Sequence, residues 1–225
     1  YNVKDDGKLM MVGKAEIEGS GGYADLDSTE KYFATNNYGQ GTITIWKIGD
    51  DGVAISEPTA HVTLEQKAHS SVFAPCNNFL LVPATGPNKV FQLKFDAETG
   101  EIVPSDPSSA PAPTGEAEAQ QPRHLVFHPN GKIAYTTLER DFPGVGVWEW
   151  DPESGSLKVV QNIVTYPDRF DGVITTADLH LTPNAKFLYV SNRDITDRKA
   201  VVGNSSIVGF KLLESGHLEM IGHTP

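Results

Sequence analysis

Residues 176–193, TADLHLTPNAKFLYVSNR, repeat residues 122–139, PRHLVFHPNGKIAYTTLE, at an offset of 54 residues, with Leu, Pro, Asn, Lys and Tyr in step. Another 54 residues back lies AHSSVFAPCNNFLLVPAT (68–85), and 47 before that the weaker GGYADLDSTEKYFATNNY (21–38). A chain made of such copies is a repeat array, in which each unit buries its apolar surface against its neighbours. Within the third copy, RHLVFH and IAYTTL flank the turn PNGK, and GVGVWEW and SLKVVQNI flank DPESG. The β-branched and aromatic runs read as strands, and the Pro, Asn and Gly between them supply tight turns. The late hairpin recurs as KFDAETGEI, FKLLESGHL and WKIGDDGVAI. A four-stranded antiparallel meander repeated every 40 to 55 residues or so predicts an all-β fold, a β-propeller. No sustained 3.6-residue apolar stripe runs through the chain, which excludes a helical solenoid.

The expected division is a single array: outer strands of a preceding blade over 1–20, then blades over 21–67, 68–121, 122–175 and 176–225. Tyr1 to Ile17 reads as the outer hairpin of a blade whose first two strands are absent. Four blades and a hairpin do not close a ring, so the expectation is that the rest of a longer polypeptide, or a second chain, supplies the missing blades. Two stretches break the rhythm. Ser105 to Gln121, rich in Pro, Ala, Ser and Glu, reads as a low-complexity surface loop. Asp194 to Asn204 lengthens the connection between the second and third strands of the last copy, and long rim loops often cover ligand sites.

The formal net charge of −11 argues against nucleic-acid and anionic-membrane partners, which need basic surfaces. An anionic small molecule would therefore have to meet a local cluster of Arg, Lys or His. Cys76 is the only cysteine, so no intrachain disulfide or thiolate metal site forms, in keeping with a reducing compartment. No apolar run approaches the ~20 residues of a membrane helix, and no signal peptide is visible. Asn204-Ser-Ser matches a glycosylation sequon of a kind that arises by chance.

In a propeller blade, the start of the innermost strand and the end of the second strand share one rim. At the first position the copies carry Gly22, His69, Arg123 and Ala177; at the second, Tyr38, Thr85, Glu139 and Arg193. Scaffold positions repeat, as Leu125 and Leu179 do, whereas these change chemistry. His69, Arg123, Glu139 and Arg193 together offer an anion clamp and an acid/base pair, since Arg captures carboxylate or phosphate and His titrates near neutrality. Rim residues also form interblade salt bridges, and Arg123 with Glu139 has that purely structural reading too. Asp178 and His180 alternate on one strand face beside the funnel and are candidate substrate-binding residues. Because His180 falls where other copies carry Val72 and Val126, it also reads as a core histidine. His124 and His128 read as structural or exposed, and His61, His217 and His223 lie outside the register. No His and carboxylate set has metal-site spacing, GYGQGT near Gly39 opens a strand rather than a helix, and no Gly-x-Ser-x-Gly elbow occurs.

QPRHLVFHPNGKIAY, preceded by AHSSVFAPCNNFLLVPA and followed by ADLHLTPNAKFLYVSNR, resembles the lactonase family of seven-bladed propellers. That family includes bacterial 6-phosphogluconolactonases and, as relatives, fungal carboxymuconate lactonising enzymes. The resemblance implies that His69, Arg123, Glu139 and Arg193 occupy places regarded as catalytic in the muconate-type members. The local string Leu138-Glu139-Arg140 departs from the family's Asn-Glu-Leu. It further implies a cytoplasmic, cofactor-free hydrolase of the pentose phosphate pathway, opening 6-phosphogluconolactone to 6-phosphogluconate. In that scheme His69 or Glu139 activates water, while Arg123 and Arg193 hold the phosphate and steady the oxyanion. A lactonising isomerase using the same residues, and a non-catalytic propeller binding a protein partner, are the alternatives.

Overall fold

Strand alternation sets the architecture. The computed structural model describes residues 1–14, 16, 21–115, 119–167, 172–196 and 205–224, and no helix occurs among them. A two-stranded hairpin, β1 (Asn2–Val3) and β2 (Leu9–Met10), comes first. Four antiparallel sheets follow, each a meander in chain order. The first holds β3 (Gly21–Leu26), β4 (Tyr32–Asn37), β5 (Thr42–Lys47) and β6 (Ala60–Thr63). The second holds β7 (Val72–Phe73), β8 (Phe79–Ala84), β9 (Lys89–Phe95) and β10 (Ile102–Pro111). The third holds β11 (Pro122–Phe127), β12 (Ile133–Leu138), β13 (Gly144–Asp151) and β14 (Ser156–Val164). The last holds β15 (Ile174–Leu181), β16 (Phe187–Asp194), β17 (Ser206–Leu212) and β18 (Leu218–Thr224).

Successive side chains of a strand point to opposite faces, and in these sheets both faces pack. On β8 every residue is buried. Leu80 and Val82 join Ile43 and Ile45 of the first sheet, while Phe79 and Leu81 join Trp148 and Trp150 of the third. A third cluster, around Tyr135, Val147, Leu188 and Phe210, binds the third sheet to the fourth. Burial of each large side chain contributes roughly 1.5–3 kcal/mol, so three such layers dominate the cohesion of the array. The far face of the fourth sheet leaves Tyr189, Ile207 and Ile221 exposed.

The recurring acidic-Gly hairpin turn is a packing device. Gly155 has φ +72°, and a Cβ on it would run into the Phe79 ring of the preceding sheet. Gly100 and Gly216 sit in the same way on Tyr32 and Ile133. Only glycine meets both demands, positive φ and no side chain. Tyr135 fastens the same contact by donating its hydroxyl to the Gly216 carbonyl at 2.9 Å, as Tyr32 does to Glu98 at 3.1 Å.

The expected loop over Ser105 to Gln121 needs correction. β10 continues to Pro111, with a register shift between Pro104 and Ser109, and Ser105, Ala110, Ala112 and Gln120 are buried. Prolines argued against a strand there, but the outermost strand of a sheet has a free edge where a missing N–H costs little. Asn88 anchors the following turn, accepting at its backbone carbonyl from Ala112 N and at Oδ1 from Gln121 N. In the last sheet the lengthened connection runs from β16 to β17; most of it, including the Asn204 sequon, lies outside the described residues.

Candidate active site

The innermost strand of each sheet carries one extra residue near its start. In β11 the pairing passes from Pro122–Leu138 to Leu125–Thr136, so three steps oppose two. β15 does the same between Thr176 and Leu179, β3 between Gly21 and Tyr23, and the second sheet between the Ala68–Ala84 bridge and Val72–Leu81. Such a bulge breaks the alternation and re-aims side chains. Neighbours that a regular strand would send to opposite faces, Arg123 and His124, here come within 3.4 Å of each other, Nη1 to Nε2.

Four of the residues expected at this rim meet. Arg193 Nη2 donates to Glu139 Oε1 at 2.7 Å, and Arg123 Nε lies 3.6 Å from Glu139 Oε2. Glu139 is fixed at its backbone from both sides, its N–H donating to Gln121 O and its carbonyl accepting from Thr176 N of the next sheet. Arg123 Nη1 donates across the sheets to Ala177 O at 2.7 Å. The Arg123 and Glu139 side chains are largely buried, whereas that of Arg193 is 42% exposed and gives the cluster an open side. His69 lies beside them, its ring 5.0 Å from that of His124 and 5.4 Å from that of Tyr38. The His69 Nδ1 is buried without a hydrogen-bond partner. Burial, reinforced by the charges of Arg123 and His124, lowers its pKa to about 3, so the ring is neutral at physiological pH.

Asp178 belongs to a second polar layer. Its Oδ1 lies 2.7 Å from His124 Nδ1 and accepts from Leu179 N, and its Oδ2 lies 3.1 Å from His180 Nε2. Burial opposes the ionised carboxylate, yet the bond from His124 and the nearby imidazoles hold it below the usual carboxylate range. His124 is itself pushed down, by burial first, against the raising effect of Asp178. The Tyr23 ring stacks at a tilt on His124, 5.4 Å away, and its hydroxyl is pushed up by burial and by Asp25 and Asp178.

His180 lies on the face of β15 turned away from the third sheet, its side chain 79% exposed, at the place where Val72 and Val126 pack against a following sheet. One sequence reading is corrected. His124, read as structural or exposed, sits at the centre of the cluster with a side chain only 14% exposed. Comparing copies one position further on would have found it, because Tyr23, Ser70, His124 and Asp178 share a repeat place. His61 lies on β6, and His128 Nδ1 accepts from Asn130 N in a turn, so neither joins the cluster. Among the described residues no group of three or more His, Cys, Asp or Glu is arranged to hold a metal ion, and no helix is long and apolar enough to cross a membrane.

Comparison with known proteins agrees with the repeat and the sheets. The family described as "Lactonase, 7-bladed beta-propeller" matches residues 1–225. A 6-phosphogluconolactonase of Serratia proteamaculans is 30% identical over 226 residues, and one of Pectobacterium carotovorum 29% identical over 226; each alignment takes in 100% of this chain. The chain spans 63% of the length of these relatives. Among solved structures, the periplasmic gluconolactonase PpgL of Pseudomonas aeruginosa superposes with a TM-score of 0.82 at 25% identity, over 97% of this chain and 61% of that one. With its family match over the whole sequence, the chain belongs to the seven-bladed β-propeller lactonases.

Proposed function

We propose that this protein hydrolyses a phosphorylated sugar lactone, 6-phosphogluconolactone, to its open-chain acid. The observation that carries the reading is the convergence of Arg123 and Arg193 on Glu139, with His69 and His124 alongside, at one rim. Two guanidiniums on one carboxylate form a site in which an incoming anion can share or take over the bonds that Glu139 now accepts. In this reading Arg123 and Arg193 hold the phosphate and steady the developing oxyanion, and Glu139 keeps both guanidiniums aligned. His69 lines the site between Tyr38 and His124. Asp178 bounds it on the fourth sheet, with His180 behind it at 3.1 Å. The names of the Serratia and Pectobacterium relatives support this substrate class, and that of the Pseudomonas protein supports lactone chemistry more broadly.

Further, we propose a cytoplasmic location, which suits the single cysteine and a phosphorylated substrate. The Pseudomonas protein is described as periplasmic, so fractionation of the source cells is the relevant measurement. The function is tested by offering the purified native protein 6-phosphogluconolactone, unphosphorylated gluconolactone and a carboxymuconate. Preference for the first, lost in Arg193→Gln, is expected. Turnover of the muconate alone would replace hydrolysis with lactonising isomerisation, and turnover of none would leave a binding propeller.

A further inference from the structure

We propose that His124, oriented by Asp178, is the residue that takes the proton from the attacking water and returns it to the leaving oxygen, an assignment that rests on the lactone-opening reading above. His69 and Glu139, the groups singled out by repeat position, are poorly placed for that task. Glu139 already faces a guanidinium with each oxygen. His69 has no ion-pair partner among the described residues, and its Nδ1 is buried and unbonded, so an imidazolium there would face cations rather than an anion. A ring with a pKa near 3 is a weak acceptor at neutral pH, where a base works best with a pKa close to the operating pH.

His124 has what His69 lacks. An ionised carboxylate can only accept, so the 2.7 Å contact with Asp178 puts the proton on Nδ1 and leaves the lone pair on Nε2. In that tautomer Nε2 accepts from Arg123 Nη1 at 3.4 Å, a long bond beside the proposed anion clamp that a water can replace. When Nε2 gains a proton, the imidazolium lies against Asp178, the arrangement that makes a histidine an effective proton carrier. Asp178 is braced for this by the Leu179 N–H on Oδ1 and by its own N–H on Ser191 Oγ. The other groups facing the ring are Arg123 and Glu139 of the third sheet, His69 of the second, Tyr23 of the first and, through Asp178, His180. The β11 bulge makes the pair possible, since without it Arg123 and His124 would lie on opposite faces.

In the reaction, a water oxygen bonds to the ring carbonyl carbon as Nε2 takes one water proton, and the carbonyl electron pair moves onto oxygen facing the arginines. The tetrahedral species then collapses and the ring C–O bond breaks. Its electron pair stays on the departing oxygen, which takes the proton from Nε2. The new carboxylic acid loses its proton to solvent, and His124 is again neutral.

The test uses the native protein, 6-phosphogluconolactone, and His124→Gln, Asp178→Asn and His69→Gln, each checked for a wild-type melt. His124→Gln should lower kcat by about a hundredfold or more with KM within about threefold. Asp178→Asn should lower kcat less and move the acid limb of kcat/KM to lower pH, because the imidazolium loses its anion; a merely structural role would not move that limb. Near-wild-type kcat in His124→Gln, an unmoved acid limb in Asp178→Asn, or a His69→Gln loss exceeding that of His124→Gln would overturn the assignment while leaving lactonase activity standing. An inactive wild type would remove the functional reading and this assignment together.

Discussion

The two rims of the same sheets are built on opposite rules. At the rim of the late hairpin turns, equivalent residues do equivalent jobs: Gly100, Gly155 and Gly216 rest on Tyr32, Phe79 and Ile133, and Tyr135, two residues beyond Ile133, bonds a carbonyl of the next turn as Tyr32 does. Across the sheet, at the bulged rim, equivalent places hold Gly22, His69, Arg123 and Ala177, and the contacts join unlike groups: arginine to carboxylate, histidine to aspartate. A repeat array needs only one end of each sheet to be uniform to keep its blades in step. The other end is then free to vary, and variation there makes a site without disturbing the stack.

The sharpest way to break this contrast is to change one residue at each rim. Gly155→Val forces a side chain into Phe79 at φ +72°, and should cost about 4 kcal/mol in chemical denaturation through overpacking and backbone strain. Molecules that remain folded should keep their turnover. Arg123→Gln should do the reverse, lowering kcat/KM for the phosphorylated lactone about a hundredfold or more, near 3 kcal/mol of barrier, with the melt still cooperative. If the glycine change abolished turnover in folded molecules, or the arginine change left it intact, the division of labour between the rims would be wrong.

Part of the uniform rim was legible in the sequence, because the acidic-Gly turn of the late hairpin recurs in every copy, although its spacing varies. Trp46 and Trp148 likewise share a use: both donate an indole N–H to a threonine, Thr35 and Thr136, on the neighbouring strand. The variable rim was legible only in part. Offsets between copies pointed to His69, Arg123, Glu139 and Arg193, and all four lie in one cluster. His124, read only as structural or exposed, is the residue that was missed: one inserted residue in β11 brings it to the same place as Arg123, as one in β15 does for the candidate Asp178. A bulge leaves no mark in composition or spacing when every copy carries it, since the repeat length stays the same. The reading of 105–121 failed for a different reason, because proline content reports on hydrogen-bond donors and the outer edge of β10 does not require them.

The variable rim should also give itself away in acid. His69 has a pKa near 3 in the folded protein against about 6.5 unfolded, so the unfolded chain binds more protons between those values. Stability from this group is fully present above pH 6.5 and is lost as pH falls through that window. Between pH 7 and pH 5 the loss should be about 2 kcal/mol, measured by urea denaturation at each pH. His69→Gln should flatten that part of the profile; an unchanged slope would mean that the ring is more hydrated than its surroundings indicate.

The smallest effect belongs to the uniform rim and isolates it best. Tyr135→Phe keeps the buried ring among Val147, Leu188 and Phe210 and removes only the hydroxyl that reaches Gly216 O at 2.9 Å. The loss should be about 1.5 kcal/mol, because the bond is buried and Gly216 at its accepting end is buried too. Turnover at saturating lactone should not change, because the hydroxyl lies at the end of the sheet opposite Glu139. A fall in kcat from this single oxygen would mean that strain at one rim reaches the other along β12, the strand that carries Tyr135 near its start and delivers Glu139 just past its end.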